Sequence, residues 1–139
     1  MAEGYIEAIQ KAFDIALHGF GTDEAVAVAL ENIGAPTDTS KPYLAGYLIP
    51  AQVEQADLSF TESRAGIYQI DINNASHVGS APSNQLADKL NAAFRPGATL
   101  TRSGVCVTIT GVSPGPLIVN NGWATRPLSI NWITHTKRL

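Results

Sequence analysis

Cysteine is nearly absent from this sequence. Cys106 stands alone, so the chain can form no internal disulfide and no thiolate metal site. A single cysteine fits a reducing compartment. Charge is scarce too, at 15% of 139 residues, where soluble domains average about 25%. The net charge is −3 and the 9 basic residues are scattered. Phosphate-backbone binding as the main activity needs clustered Lys and Arg, so that class is disfavoured. Lys137 and Arg138 read as a solvated basic end. No apolar run approaches the ~20 residues that span a bilayer. Glu3, Glu7, Lys11 and Asp14 interrupt the apolar residues near the start, so no secretion signal is expected there.

Catalytic signatures are missing as well. There is no GxSxG, Walker A or GxGxxG pattern. The glycines of "GFGT", Gly19 to Thr22, follow a helical pattern, whereas a phosphate loop follows a strand and opens a helix. That stretch reads as a helix C-cap. His18, His77 and His135 fall in three separate segments without ligand spacing, and they read as exposed histidines. Cys106 lies within a strand pattern, opposite Val105 and Val107, with no activating base nearby in sequence. It reads as a small half-buried residue. The acidic pairs Asp23 with Glu24 and Glu54 with Asp57 could do acid–base work, but they sit in polar segments and read as surface solvation. No enzymatic activity, cofactor or metal is expected.

What is present is a length suited to one domain, residues 1–139, with 45% hydrophobic residues to build a core. So few charges leave much neutral or apolar surface. Either partner subunits cover part of it, or it consists of Gly-, Ser- and Asn-rich loops.

Ile6, Ile9, Phe13, Leu17 and Phe20 recur at helical spacing, with Glu3, Glu7, Lys11, Asp14 and His18 on the opposite stripe. Gly19 and Gly21 are expected to stop this helix. Residues 22–32 fit either a strand or a second helix. "APTDTSKP" is a loop by composition, and "YLAGYLIP" is a short strand bounded by Pro42 and Pro50. "AQVEQADLSFTES" is a loop or the lead-in to the next strand. "RAGIYQIDIN", Arg64 to Asn73, is the clearest strand, with Tyr68, Ile70 and Ile72 on one face and Ile67, Gln69 and Asp71 on the other.

A linker over "NASHVGSAPSN" leads to a helix capped by Ser83 or Ser80. Its buried stripe is Leu86, Leu90 and Ala93 or Phe94, and "RPG" ends it. "VCVTITGV" is a strand. A hairpin follows, turning at Asn121-Gly122, with Leu128, Ile130 and Trp132 inward. Pro127 cannot donate to a ladder, so a bulge or an edge is expected there. The economical architecture is α+β: a mostly antiparallel sheet with two main helices on one face.

Arg64, Arg95, Arg102 and Arg126 fall at element boundaries, and Trp123 follows a tight turn. Arg and Trp are favoured at interfaces. Subunit contact and capping of a helix or sheet end both fit Arg126 and Trp123.

The ordered set of elements resembles a known family. It comprises the amphipathic helix, Leu30-Glu31-Asn32, "PYL" at Pro42 to Leu44, the strand ending "LIP", and "GIYQIDI" at Gly66 to Ile72. "QLADKLNAAF" at Gln85 to Phe94, "GVCVTI" at Gly104 to Ile109 and "GWATRPLSINW" at Gly122 to Trp132 complete it. In that order these resemble the tail-terminator (tail completion) proteins of long-tailed phages and prophages. The resemblance implies a non-catalytic ring, usually a hexamer, on the last ring of tail-tube subunits. It would stop tube polymerisation and present the joining surface for head-completion or neck proteins. DNA would pass through the lumen without sequence readout. The location would be the virion tail, after assembly in the host cytoplasm, with no membrane involved. Candidate contact residues are Arg64, Ile67, Gln69, Trp123 and Arg126. A different head–tail connector or neck protein shares this composition. A small ligand-binding module, with a pocket between helix and sheet, is the third reading.

Overall fold

The computed structural model describes residues 5–24, 26–29, 42–55, 61–75, 81–102, 104–120 and 123–137. Among them the order is helix, three strands, helix, four strands. The helices are α1 (Tyr5–Glu24) and α2 (Ala81–Ala93). The strands are β1 (Ala27–Ala29), β2 (Tyr43–Gln55), β3 (Thr61–Ala75), β4 (Thr99–Arg102), β5 (Val105–Pro114), β6 (Ile118–Asn120) and β7 (Trp123–Lys137). They form one seven-stranded sheet in the order β1-β2-β3-β7-β5-β4, and β6 pairs with the start of β7. Every pairing is antiparallel except β1 with β2. The α+β class and the largely antiparallel sheet therefore hold.

The Arg64–Asn73 segment is the middle of β3, flanked by β2 and β7. Its alternation is matched across the ladder: Tyr68 faces Ile130, Ile70 faces Leu128, and Gly66 faces Trp132. Period-two patterning on two adjacent strands puts all of these on one face. That face joins a single core cluster. To it α1 contributes Ala8, Ile9, Phe13 and Leu17, α2 contributes Leu86, Ala87 and Leu90, and Phe94 joins from just past the end of α2. Phe13 stacks on Tyr68 with ring centroids 4.7 Å apart, and Tyr68 Oη donates to Asp14 Oδ1 at 2.5 Å. The sheet curls into a half-barrel. Because of the curl, α1 touches β1 and β2 at one end of the sheet and β4 and β5 at the other.

Several local expectations are corrected. α1 runs through Gly19 and Gly21 to Glu24. Gly19 is exposed with open space around it, so it costs the helix only about 1 kcal/mol relative to Ala. Gly21 is buried, and an added Cβ would fall 2.5 Å from Val28 Cγ2. It is there so that β1 can approach the helix. The true close is the bond from Val26 N to Gly21 O, 2.8 Å, the 6→1 pattern of a Schellman motif.

Ile6, expected on the buried stripe, is 50% exposed, while Asp14 leaves the polar stripe to reach Tyr68. In the 22–32 segment, Thr22 to Glu24 belong to α1 and Ala27–Ala29 to a strand. β2 does not stop at Pro50 but continues to Gln55, with a register shift between Pro50 and Val53. A bulge is where a strand tolerates a residue without an N–H.

Pro127 falls at an irregularity of the ladder, where three residues, 115–117, stand opposite 126 and 127 of β7. It lies within β7, between the parts that pair with β6 and with β5. Its carbonyl accepts from Gly115 N at 2.7 Å. In a strand the N and the carbonyl of one residue point to the same side. The missing donor therefore faces a gap in the ladder. Ser83 lies inside α2, which begins at Ala81, so it is not the N-cap. Phe94 rather than Ala93 completes the buried stripe. Cys106 faces away from Val105 and Val107 as expected, but it is exposed. Ser80, His77, Asp57 and the loop at 35–41 lie outside the described residues.

Candidate functional site

The candidate surface is the second face of the sheet. Opposite the core, β2 presents Ala45, Tyr47 and Ile49, β3 presents Ile67, Gln69 and Asp71, and β7 presents Ser129, Asn131 and Ile133. Ile49 and Ile67 are direct cross-strand partners, and Ala65 partners Ile133 one step along. Tyr47 is 40% exposed and Ile49 46%. Ile67, Gln69, Asp71, Asn131 and Ile133 are half-buried. Asp71 is the one charged side chain among these. It accepts from Gln69 Nε2 at 2.8 Å, so even this charge is partly spent within the face.

Toward the other end of the same face, Tyr43 and Trp123 meet edge to face at 5.3 Å. Between their strands, Asn73 Oδ1 accepts from Thr125 Oγ1 at 2.6 Å. Tight packing by two aromatics explains why Asn73 is 8% exposed on a face with no second layer among the described residues.

The five residues named from sequence do not form one patch. Register puts Ile67, Gln69 and Trp123 on this outer face. Arg64, opposite Thr134, and Arg126, opposite Ile72, share the parity of the core face. Arg126 donates from Nη1 to Gly115 O at 3.1 Å and from Nε to Ser83 Oγ at 3.4 Å.

Sequence reasoning placed β6 in a hairpin but missed the exposure of its side chains. Ile118 and Val119 are 54% and 63% exposed, on a three-residue strand paired to β7 on one side. The run Leu117-Ile118-Val119 ahead of an Asn-Gly turn carried the signal. Its reading as one arm of a hairpin is right, since Asn120 pairs with Trp123. The exposure of both side chains follows from β6 lying past the end of β5.

Among the described residues, no group of three or more His, Cys, Asp or Glu is placed to hold a metal ion. No described helix is long and apolar enough to cross a membrane. A depression between the end of α1 and β1 is lined by His18, Gly21, Thr22 and Val26 to Val28. Thr22 Oγ1 there donates to His18 O, 3.0 Å.

A model of phage tail terminator proteins matches residues 8–132, nearly the whole chain, which sets the molecule among the structural proteins of phage tails. The chain belongs to the phage tail terminator protein family. No curated protein matches it. Among ten matching chains of known structure, one at 22% identity covers 99% of this chain and 100% of its own, with a TM-score of 0.78. At that identity the likeness shows the fold alone.

Proposed function

We propose that copies of this chain close into a ring, a hexamer, on the last ring of tail-tube subunits. The ring stops tube polymerisation and offers the surface to which head-completion or neck proteins join. DNA passes through the lumen without sequence readout. Each subunit carries both helices on the concave side of its sheet and turns the other side toward its surroundings. Assembly takes place in the host cytoplasm, and the protein ends in the virion tail.

The observation that carries this reading, beside family membership, is the outer face. Among the residues named above, it combines cross-strand apolar pairs with neutral amides and hydroxyls and a single carboxylate. Exposed apolar pairs on a sheet face, together with an open edge strand, are hazards for a monomer and natural docking surfaces for an assembly. A closed ring needs a heterologous interface whose rotation returns to the start. Ile67, Gln69 and Trp123 supply contacts from the outer face, and Arg64 and Arg126 act from the core side of the same two strands. No converging set of catalytic groups accompanies this surface among the described residues.

The test is electron microscopy of purified protein mixed with tail tubes. The expected result is a ring at one tube end and tubes that no longer lengthen. A strictly monomeric protein that never sits on tube ends would sink the proposal. Binding to heads or necks without tubes would favour a connector instead.

A further inference from the structure

The Arg126 guanidinium turns inward and joins three segments. Its Nε donates to Ser83 Oγ in the first turn of α2, and its Nη1 donates to the carbonyl of Gly115, between β5 and β6. Gly115 N donates in turn to Pro127 O at 2.7 Å. An added Cβ on Gly115 would fall 2.8 Å from Pro127 Cγ, so this connection lies flat against β7. It leads within three residues into β6. That strand has three ladder residues and pairs with the first residues of β7. So short a strand, with no partner on its other edge among the described residues, is weakly held by its own ladder.

We propose that Arg126 is a positioning residue, whose planar fork, gripping Ser83 and Gly115 together, sets how β6 lies on β7. It thereby fixes where Ile118 and Val119 stand for a neighbouring copy. That second step rests on the ring reading. A lysine keeps the charge but lacks the fork, and cannot hold both acceptors in one geometry.

The experiment is hydrogen exchange and sedimentation on the full chain carrying Arg126→Lys or Ser83→Ala. The amides of Ile118–Asn120 exchange about tenfold faster in Arg126→Lys, as loss of one charge-assisted bond implies. Amides at 66–72 in the centre of β3 keep their rates. Ser83→Ala gives a smaller acceleration at the same amides. Self-association, measured where every variant is fully folded, weakens in the same order. Unchanged exchange at Ile118–Asn120 in the folded variants overturns the positioning role. Faster exchange with unchanged self-association keeps the latch and overturns β6 as a contact edge of the ring. Should Arg126→Lys fail to fold, Ser83→Ala decides alone by the same two outcomes.

Discussion

Tyr68, Ile70 and Ile72 are fully buried on one face of β3, whereas Ile67, Gln69 and Asp71 on the other are half-buried. The residues alternate along one backbone and share one ladder, so nothing local separates them. What differs is the layer opposite. The inner side chains meet Phe13, Leu90 and Trp132 in a single cluster, and their sizes answer to that packing. The outer side chains answer to no such layer among the described residues. An isoleucine pair there, Ile49 with Ile67, is not required by this chain's own core. Its cause is sought outside the subunit.

The sharpest way to break this contrast is to truncate matched residues on the two faces. Ile70→Ala removes buried methyl groups and leaves a cavity, at a cost of about 2–5 kcal/mol. Ile67→Ala, from a half-buried site, costs less than about 1 kcal/mol. Urea unfolding of the two variants measures both. Equal losses would mean that the outer face is packed as firmly as the inner one, and the contrast would fail.

Overfilling the inner face comes next. Gly46 lies between Leu44 and Leu48 on β2, and an added Cβ would collide with Tyr68 Oη and fall 2.8 Å from Leu17 Cδ2. Gly46→Ala therefore forces α1 or Tyr68 aside, at about 1–3 kcal/mol. Thermal unfolding should show the loss. A neutral result would mean that α1 is not seated closely on β2.

A smaller effect is expected at the polar join between helix and sheet. Tyr68→Phe keeps the stack on Phe13 but deletes the hydroxyl that donates to Asp14. The expected cost is about 1 kcal/mol, that of one net hydrogen bond. An unchanged melting point would place the whole value of Tyr68 in its ring.

The inner face was readable from sequence because burial imposes a period. Tyr68, Ile70, Ile72, Leu128, Ile130, Trp132, Leu86 and Leu90 all emerge from spacing alone, and all are buried. The misreadings share a physical cause, which is that a distant segment decided them. Gly21 reads as a stop until Val28 is seen beside it, and Asp14 reads as solvent-facing until Tyr68 arrives from 54 positions away. Pro127 reads as a bulge or an edge, and which of the two is decided by the break between β5 and β6 on another strand. The candidate surface was half legible. Alternation shows that Ile67 and Gln69 face away from the core, but not that Ile49 stands beside Ile67. Arg126 was chosen for its residue type and boundary position, and neither reveals that its guanidinium is turned toward Ser83.

The smallest effect on stability is expected where the effect on assembly is largest. Ile67→Lys and Gln69→Lys place charges at half-buried positions outside the core cluster, so each shifts stability by about 1 kcal/mol or less. In the ring the Ile67→Lys charge would be buried against a neighbour without a partner, a much more costly position, and Gln69→Lys would bury a charge that only Asp71 offsets. Unfolding curves should stay close to the wild type, while rings disappear from sedimentation profiles and from tube ends. Association of the unmodified protein should also respond weakly to salt, because Asp71 is the sole charge among the outer-face residues named above. If both lysine variants still cap tubes, the outer face is solvent-washed in the virion. The contact would then have to lie elsewhere, with the exposed β6 edge the next surface to alter.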